Sequence, residues 1–283
     1  MKKKILLFVF LTFGVFCIIT AQETKEEGKN ETKKASYFKF STSYLTNAVY
    51  NGRKDSTVLP YLTPSVGYYD KSGFYVSGAL SYLVSSAANR IDLFSVTAGY
   101  DFNISNQVSG GVYGSKDFYT GSSTSVKSET LGSIGGNLSY DPGFLTFNGN
   151  FGLLLSSQTD VSLGASIGHS FILEDGENAW SISPTLAANL GTQNYYQDYL
   201  KTKPRKKNGS SGTVQVQQNT FGLLDYELSL PIGYDAKKWG LFFTPTYAIP
   251  QNPASYTSPG GNVFIMEKLE NVFYAEFGVY VKF

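Results

Sequence analysis

From Ser36 to Phe283 the chain alternates in character with a period of two. Phe38, Phe40, Thr42 and Tyr44 interleave with Lys39, Ser41 and Ser43. Val58, Pro60, Leu62, Pro64, Val66 and Tyr68 interleave with Tyr61, Thr63 and Ser65, and Phe74, Val76, Gly78, Leu80, Tyr82 and Val84 with Ser77, Ala79 and Ser81. A period of two sends successive side chains to opposite faces of a β-strand, so the chain reads as all-β. Further segments follow at about 90–103, 107–118, 128–140, 143–156, 159–173, 179–196, 220–234, 239–250 and 269–283, making about 12 strands.

The links between segments alternate in length. Asp70 to Gly73, Ile104 to Gln107, Asp141 to Gly143, Glu174 to Asn178 and Asp235 to Lys238 are tight and rich in turn residues. Between them lie mostly longer links, 47–55, 119–127, 197–219 and 251–268, with short exceptions near 86–89 and 157–158. Short turns at one end and long loops at the other predict a closed antiparallel transmembrane β-barrel of up-and-down topology. A water-soluble sandwich shows the same alternation, and composition weighs against it. Only 16% of the residues are charged, against about 25% in a typical soluble domain. Tyr68, Tyr69, Phe74, Tyr100, Phe102, Tyr140, Phe144, Trp180, Tyr234 and Trp239 also gather beside the tight turns, as a girdle at a membrane interface would.

Residues 1–21 read as a secretory signal peptide. Lys2, Lys3 and Lys4 precede an apolar run from Ile5 to Ile19 and the small residues Thr20 and Ala21. That run is shorter than the roughly 20 residues of a spanning helix, which weighs against an uncleaved anchor. Cys17 follows Phe16 rather than a small residue, unlike a lipoprotein acylation site. Cleavage after Ala21 removes the only cysteine and three lysines, so a formal net charge of +1 becomes −2. Thiol chemistry and multi-cysteine metal sites are then excluded, and near-neutral charge leaves no electrostatic reason to expect nucleic acid. Residues 22–35 are polar and aperiodic and read as a flexible leader; 36–283 form the barrel.

The chain ends Glu276-Phe277-Gly278-Val279-Tyr280-Val281-Lys282-Phe283. This end resembles the C-terminal signal of single-chain bacterial outer-membrane β-barrels: a polar residue, Gly two places on, then a hydrophobic residue two places before a terminal aromatic. Glu276, Gly278, Val281 and Phe283 fill the pattern. The resemblance implies an outer-membrane location in a Gram-negative-type bacterium, with the lipid and lipopolysaccharide of that membrane as surroundings. It further implies reading by the barrel-assembly machinery and pairing of the last strand with the first. Alternation points Phe273, Ala275, Phe277, Val279, Val281 and Phe283 to lipid, and Tyr274, Glu276, Gly278, Tyr280 and Lys282 inward.

The inward candidates that carry charge are Lys39, Asp225, Glu227, Glu276 and Lys282. They either line a pore and bias what passes or close the interior by mutual ion pairs. Small inward residues such as Ser162, Gly164, Ser166, Gly168 and Ser170 leave room for a narrow channel, since 12 strands lie between packed 8-stranded and aqueous 16-stranded barrels. The expected function is a narrow pore for small solutes; the alternative is an accessory barrel whose outer loops bind an envelope partner.

Lys201, Lys203, Arg205, Lys206 and Lys207 form a basic loop on the predicted outer side, either a solvated mobile run or a contact for lipopolysaccharide phosphates. No catalytic site, cofactor or metal is expected. His169 is the only imidazole, and by alternation it sides with Leu163, Ala165, Ile167 and Phe171 toward lipid. Phospholipase and lipid A deacylase barrels use His-x-Ser, whereas Ser170 adjoins His169 and points to the opposite face. Asp225 and Glu227 alone do not make a glycosidase pair. Five prolines, Pro60, Pro64, Pro184, Pro231 and Pro245, fall inside predicted strands and predict irregular pairing.

Overall fold

The computed structural model describes residues 35–85, 89–128, 130–195, 221–253, 255–257, 263–265 and 268–283. The signal peptide, nearly all of the leader, the basic loop and part of 251–268 lie outside them.

The elements in chain order are β1 (Tyr37–Leu45), β2 (Val49–Tyr50), β3 (Arg53–Lys54), β4 (Tyr61–Tyr69), β5 (Phe74–Val84), β6 (Asn89–Asn103), β7 (Val108–Tyr119), β8 (Gly132–Tyr140), β9 (Thr146–Leu155), β10 (Asp160–Gly168), β11 (Phe171–Asp175), β12 (Asn178–Ile182), β13 (Thr185–Gly191), β14 (Gly222–Ser229), β15 (Ile232–Asp235), β16 (Trp239–Pro250), β17 (Ser255–Thr257), β18 (Val263–Ile265) and β19 (Val272–Lys282). Three pairs, β10 with β11, β12 with β13 and β14 with β15, are halves of single interrupted spans. Counted as spans, 12 antiparallel strands follow one another around one sheet, up and down. The last closes on the first, from Lys39 opposite Lys282 to Leu45 opposite Glu276. Phe38 and Phe283 exchange N–H to carbonyl bonds of 3.0 and 2.9 Å at the end of that seam. Closure removes the edges that β1 and β19 would otherwise expose, the condition for strands in hydrocarbon; β11, at the turn end, pairs among the described residues on one side only, with β12.

The tight links fold as the sequence indicates. At Asp70 the carboxylate accepts from the Ser72 N–H at 2.9 Å, while Gly73 takes a φ of 103° that a side chain would resist. Four hydrogen bonds, from Ser72 hydroxyl and N–H, the Ser36 hydroxyl and the Tyr68 hydroxyl, hold the Asp70 carboxyl well below the usual carboxylate range.

The prolines mark where the ladder fails. Residues 183–184, 230–231 and 244–245 stand at one height on three adjacent spans, between the paired rows Ile182, Ile232, Phe243 and Thr185, Ser229, Thr246. Each proline lacks the N–H its strand would donate, yet its carbonyl still accepts from a neighbour: Pro184 from His169, Pro231 from Ser183 and Pro245 from Leu230, at 3.3, 2.8 and 3.1 Å. Two of the three interruptions, at Pro184 and Pro231, thus align with Pro245 inside the unbroken β16 as a proline fault line crossing the wall near the tight turns. Pro64 has a milder effect, since the β4–β5 register omits Thr63 and Pro64 but resumes unshifted.

Candidate pore interior

The two faces of the sheet differ in chemistry. Outward lie Phe40, Val66, Val76, Phe94, Ile134, Phe151, Leu163, Leu186, Leu228 and Phe277, all exposed. Beside the tight turns the outward aromatics touch in series: Phe38 with Tyr68, Phe74 with Tyr100, Tyr140 with Phe147, and Trp180 with Tyr234, which meets Trp239 at 5.3 Å. On the inner face stand Ser77, Ser95, Thr97, Ser133, Ser139, Ser162, Ser166, Thr185 and Asn189, all buried. A closed sheet that is apolar outside and polar inside, with an aromatic belt, is the inverse of a soluble sandwich. The chain has the fold of an outer-membrane β-barrel.

Within the barrel the turn end carries two lysines, the acids Asp101 and Asp235, and a row of aromatic rings. Lys39 of β1 lies over the Tyr280 ring at 4.5 Å; Lys282 of β19 lies 5.2 Å from the same ring and 5.8 Å from Tyr37. The Tyr280 hydroxyl donates to Asp235. Tyr37, Tyr69 and Tyr75 stack along the wall at 5.1 and 5.7 Å. This corrects the girdle assignment at one residue: Tyr69 stacks inside, as its neighbour Tyr68 on the outer face requires. Three inward tyrosines each face a glycine across the ladder, Tyr75 to Gly99, Tyr113 to Gly135 and Tyr280 to Gly240. A Cβ at any of these glycines would run into the opposing ring, so the small residues seat aromatic rings rather than simply widening the lumen.

Around the middle, hydroxyls meet across strands. Ser41 pairs with Ser65 at 2.6 Å, Ser115 with Ser133 at 2.8 Å, and Asn148 donates to Ser166 at 3.3 Å.

Toward the loop end lie the acids. Asp225 is fully buried and accepts from the Asn189 amide at 2.7 Å; Glu227 accepts from the Tyr274 hydroxyl at 3.0 Å. Glu276 is half-buried on the inward side of β19. The five charged candidates therefore divide: Lys39 and Lys282 meet at the turn end, Asp225 and Glu227 sit together near the loops, and Glu276 lies on β19 opposite Leu45 and Thr244, at a height between the two pairs. Of the terminal motif, Gly278 packs against Thr42 and Phe242, Val281 pairs with Phe40 and Trp239, and the Phe283 ring meets Phe40 edge-on at 5.8 Å. Ala275, expected outward, is buried. His169 falls in the break after β10 with its ring edge-on to Phe171 at 4.6 Å, and the Ser170 hydroxyl meets that of Ser183 at 2.9 Å.

What sequence reasoning missed is the loop between β1 and β4. The link 47–55 turns inward and forms the β2–β3 hairpin. Its tip, Asn51-Gly52, has φ of 49° and 72°, the two positive values of a type I′ turn. Ala48, Val49 and Leu59 pack on Leu45, Tyr61, Leu83, Ala248, Val272 and Tyr274, giving the loop end an apolar core. The Tyr50 ring meets Tyr195 at 4.9 Å, and the Lys127 ammonium lies 4.7 Å above it. Burial lowers the Lys127 pKa and raises that of Tyr50 well above the usual tyrosine range.

No protein-family model and no curated protein matches the sequence. Among solved structures the barrel is similar to the KdgM porin, with a TM-score of 0.48 and 12% identity over 88% of this chain and 99% of that one. It is similar to the NanC porin at 0.47 and 12%, covering 87% and 100%. LpxR from Salmonella typhimurium gives 0.48 and 8%, covering 86% and 99%.

Proposed function

We propose that the chain is a narrow channel for small hydrophilic solutes in the outer membrane of a Gram-negative-type bacterium. The observation that carries this reading is where the interior aliphatic side chains are. Buried Leu45, Leu59, Leu83, Val126, Leu154, Leu224 and Val272 all belong to the loop end. Below them the inner wall is serine, threonine, asparagine, glycine, tyrosine and charge, with the small Ala79 and Ala187 as its buried apolar side chains, a lining that water solvates and an apolar core does not resemble. In this reading the signal peptide directs export, the tight turns face the periplasm, and the basic loop Lys201 to Lys207 faces outward, where lipopolysaccharide phosphates would meet it.

Purified protein in planar bilayers should give discrete unit conductance steps. Silent insertion, with folding verified by heat-modifiable gel migration, would reject the channel and favour the accessory barrel. Lys39 and Lys282 give the current path a second test. Reversing both charges, Lys39→Glu with Lys282→Glu, should shift the zero-current potential in a salt gradient toward cation preference. An unchanged potential at unchanged conductance would place the two lysines outside the ion path.

A further inference from the structure

We infer that residues 46–60 are a removable plug of the barrel's loop end, seated by Arg53, and that this hairpin sets the size limit of the pore; the second clause rests on the channel reading, the first does not. Arg53 is 1% exposed. Its guanidinium donates to the carbonyl of Asn51 at 2.8 Å within its own hairpin. It also donates to three carbonyls of the wall and rim: Leu224 at 2.8 Å, Gln251 at 2.7 Å and Asn252 at 2.9 Å. A buried guanidinium costs several kcal/mol unless its donors are met, and here four carbonyls, three of them from the wall and rim, meet the N–H groups of its two terminal nitrogens. The β13–β14 register shifts between Asn189 and Leu190, leaving Leu224 as the extra residue of a bulge. Its carbonyl receives both Arg53 and the Gln251 N–H at 2.7 Å. Asn252, at a φ of 52°, turns its carbonyl to Arg53 while its amide donates to Leu223 at 2.6 Å.

The hairpin thus crosses from β1 past β19 and β16 to β14, a quarter of the way around the wall. Its tip is pressed close: a Cβ at Gly52 would stand 2.7 Å from the Pro250 Cβ and 3.2 Å from that of Asp225. Gly52 therefore lies directly over the lumen acid Asp225, which the hairpin helps to cover. Two other loops reach the same hairpin at Tyr50, through Tyr195 and Lys127. At its root the hairpin is held by two bonds of 2.9 Å, Thr46 N–H to the Ala275 carbonyl and Ala275 N–H to the Thr46 hydroxyl. The root is thus part of the sheet, and the tip is held by a cation on carbonyls and by the small apolar core.

Ala248 lies fully buried in that core, and the only cysteine of the sequence is Cys17 in the predicted signal peptide, so Ala248→Cys in the processed protein offers a single thiol beneath the plug. A small cationic thiol reagent should label it slowly in the parent barrel. Arg53→Ala should speed labelling about tenfold or more, since charge-assisted bonds to carbonyls are each worth more than that factor. Arg53→Lys should fall between, because an ammonium cannot reach the carbonyls as a planar fork does. Replacing 48–57 by a short Gly-Ser link should label fastest and raise unit conductance. Equal labelling in all four proteins, each folded by heat-modifiable migration, would overturn the plug. Faster labelling without conductance in any variant would keep the plug and reject the channel. Faster labelling with conductance unchanged in the hairpin replacement would overturn its control of pore size.

Discussion

Asp92→Ala should lower the stability of the folded barrel by about 3 kcal/mol. Asp92 is fully buried and is the residue left over where the β5–β6 register shifts between Ser81 and Tyr82. The bulge turns its carboxylate inward, where it accepts from the Tyr61 hydroxyl of β4, from Arg90 Nε at 2.8 Å and from the Ser123 hydroxyl at 2.7 Å. Its carbonyl accepts the Thr120 N–H at 3.0 Å. One carboxylate therefore ties β4, β6 and the β7–β8 loop together. Removing it leaves the partly buried Arg90 guanidinium, a hydroxyl of β4 and a hydroxyl of the loop without their common acceptor, and deserting such groups costs more than the pair itself contributes. Asp92→Asn keeps the shape and some acceptors but loses the charge, so it should cost about half as much. Equilibrium urea unfolding in detergent, followed by the fluorescence of Trp180 and Trp239, reads the difference. Those tryptophans sit at the opposite end, so their transition reports the whole barrel. An Asp92→Ala midpoint within about 0.5 kcal/mol of the parent would show that the hub contributes nothing net.

Asp92 also shows why part of the site could not be read from sequence. Alternation assigns faces reliably while the ladder keeps register, and so Phe38 to Tyr44, Leu62 to Tyr68 and Phe74 to Val84 were legible, as were the five tight turns; Val58 and Pro60, which alternation places in the same strand, belong instead to the inward loop, since β4 begins at Tyr61. A bulge reverses the parity. Arg90 and Asp92 point inward on even numbers, whereas Ser95 and Thr97, on the same strand, point inward on odd ones. Nothing in the local sequence announces that change, because it is set by pairing with β5. The prolines were legible as interruptions, and the structure adds that three of them align into one fault line. The hairpin had a local signal, Asn51-Gly52 between Val49-Tyr50 and Arg53-Lys54, which reads as a type I′ turn. Its inward direction had none: it depends on carbonyls of Leu224, Gln251 and Asn252, some 171 to 199 residues away. The lumen charges were legible as inward, but their division between the two ends follows from strand direction and register.

Gly278→Val should abolish most of the folded barrel, and the reason lies in the closing seam rather than in the terminal signal as a label. A Cβ at Gly278 would stand 2.6 Å from the Thr42 carbonyl oxygen and 2.6 Å from the Phe242 ring. The first contact is backbone, on the strand β19 must pair with to close the sheet; the second is the aromatic on its other neighbour. A side chain there pushes β19 away from both partners at once, and parted strands in lipid expose backbone groups that cost several kcal/mol each. Glu276→Ala is the contrast. It removes the polar residue of the same motif at a half-buried position without new bulk, so a purely steric seam predicts a barrel that still folds, while recognition of the motif predicts a loss comparable to Gly278→Val. Two settings separate the explanations. Refolding from urea into detergent, read by heat-modifiable migration, involves no assembly machinery, and there Gly278→Val should fail while Glu276→Ala folds. Membrane levels in cells test recognition in addition. Gly278→Val that refolds normally in detergent but is lost in cells would overturn the steric account and leave the glycine as a recognition element alone.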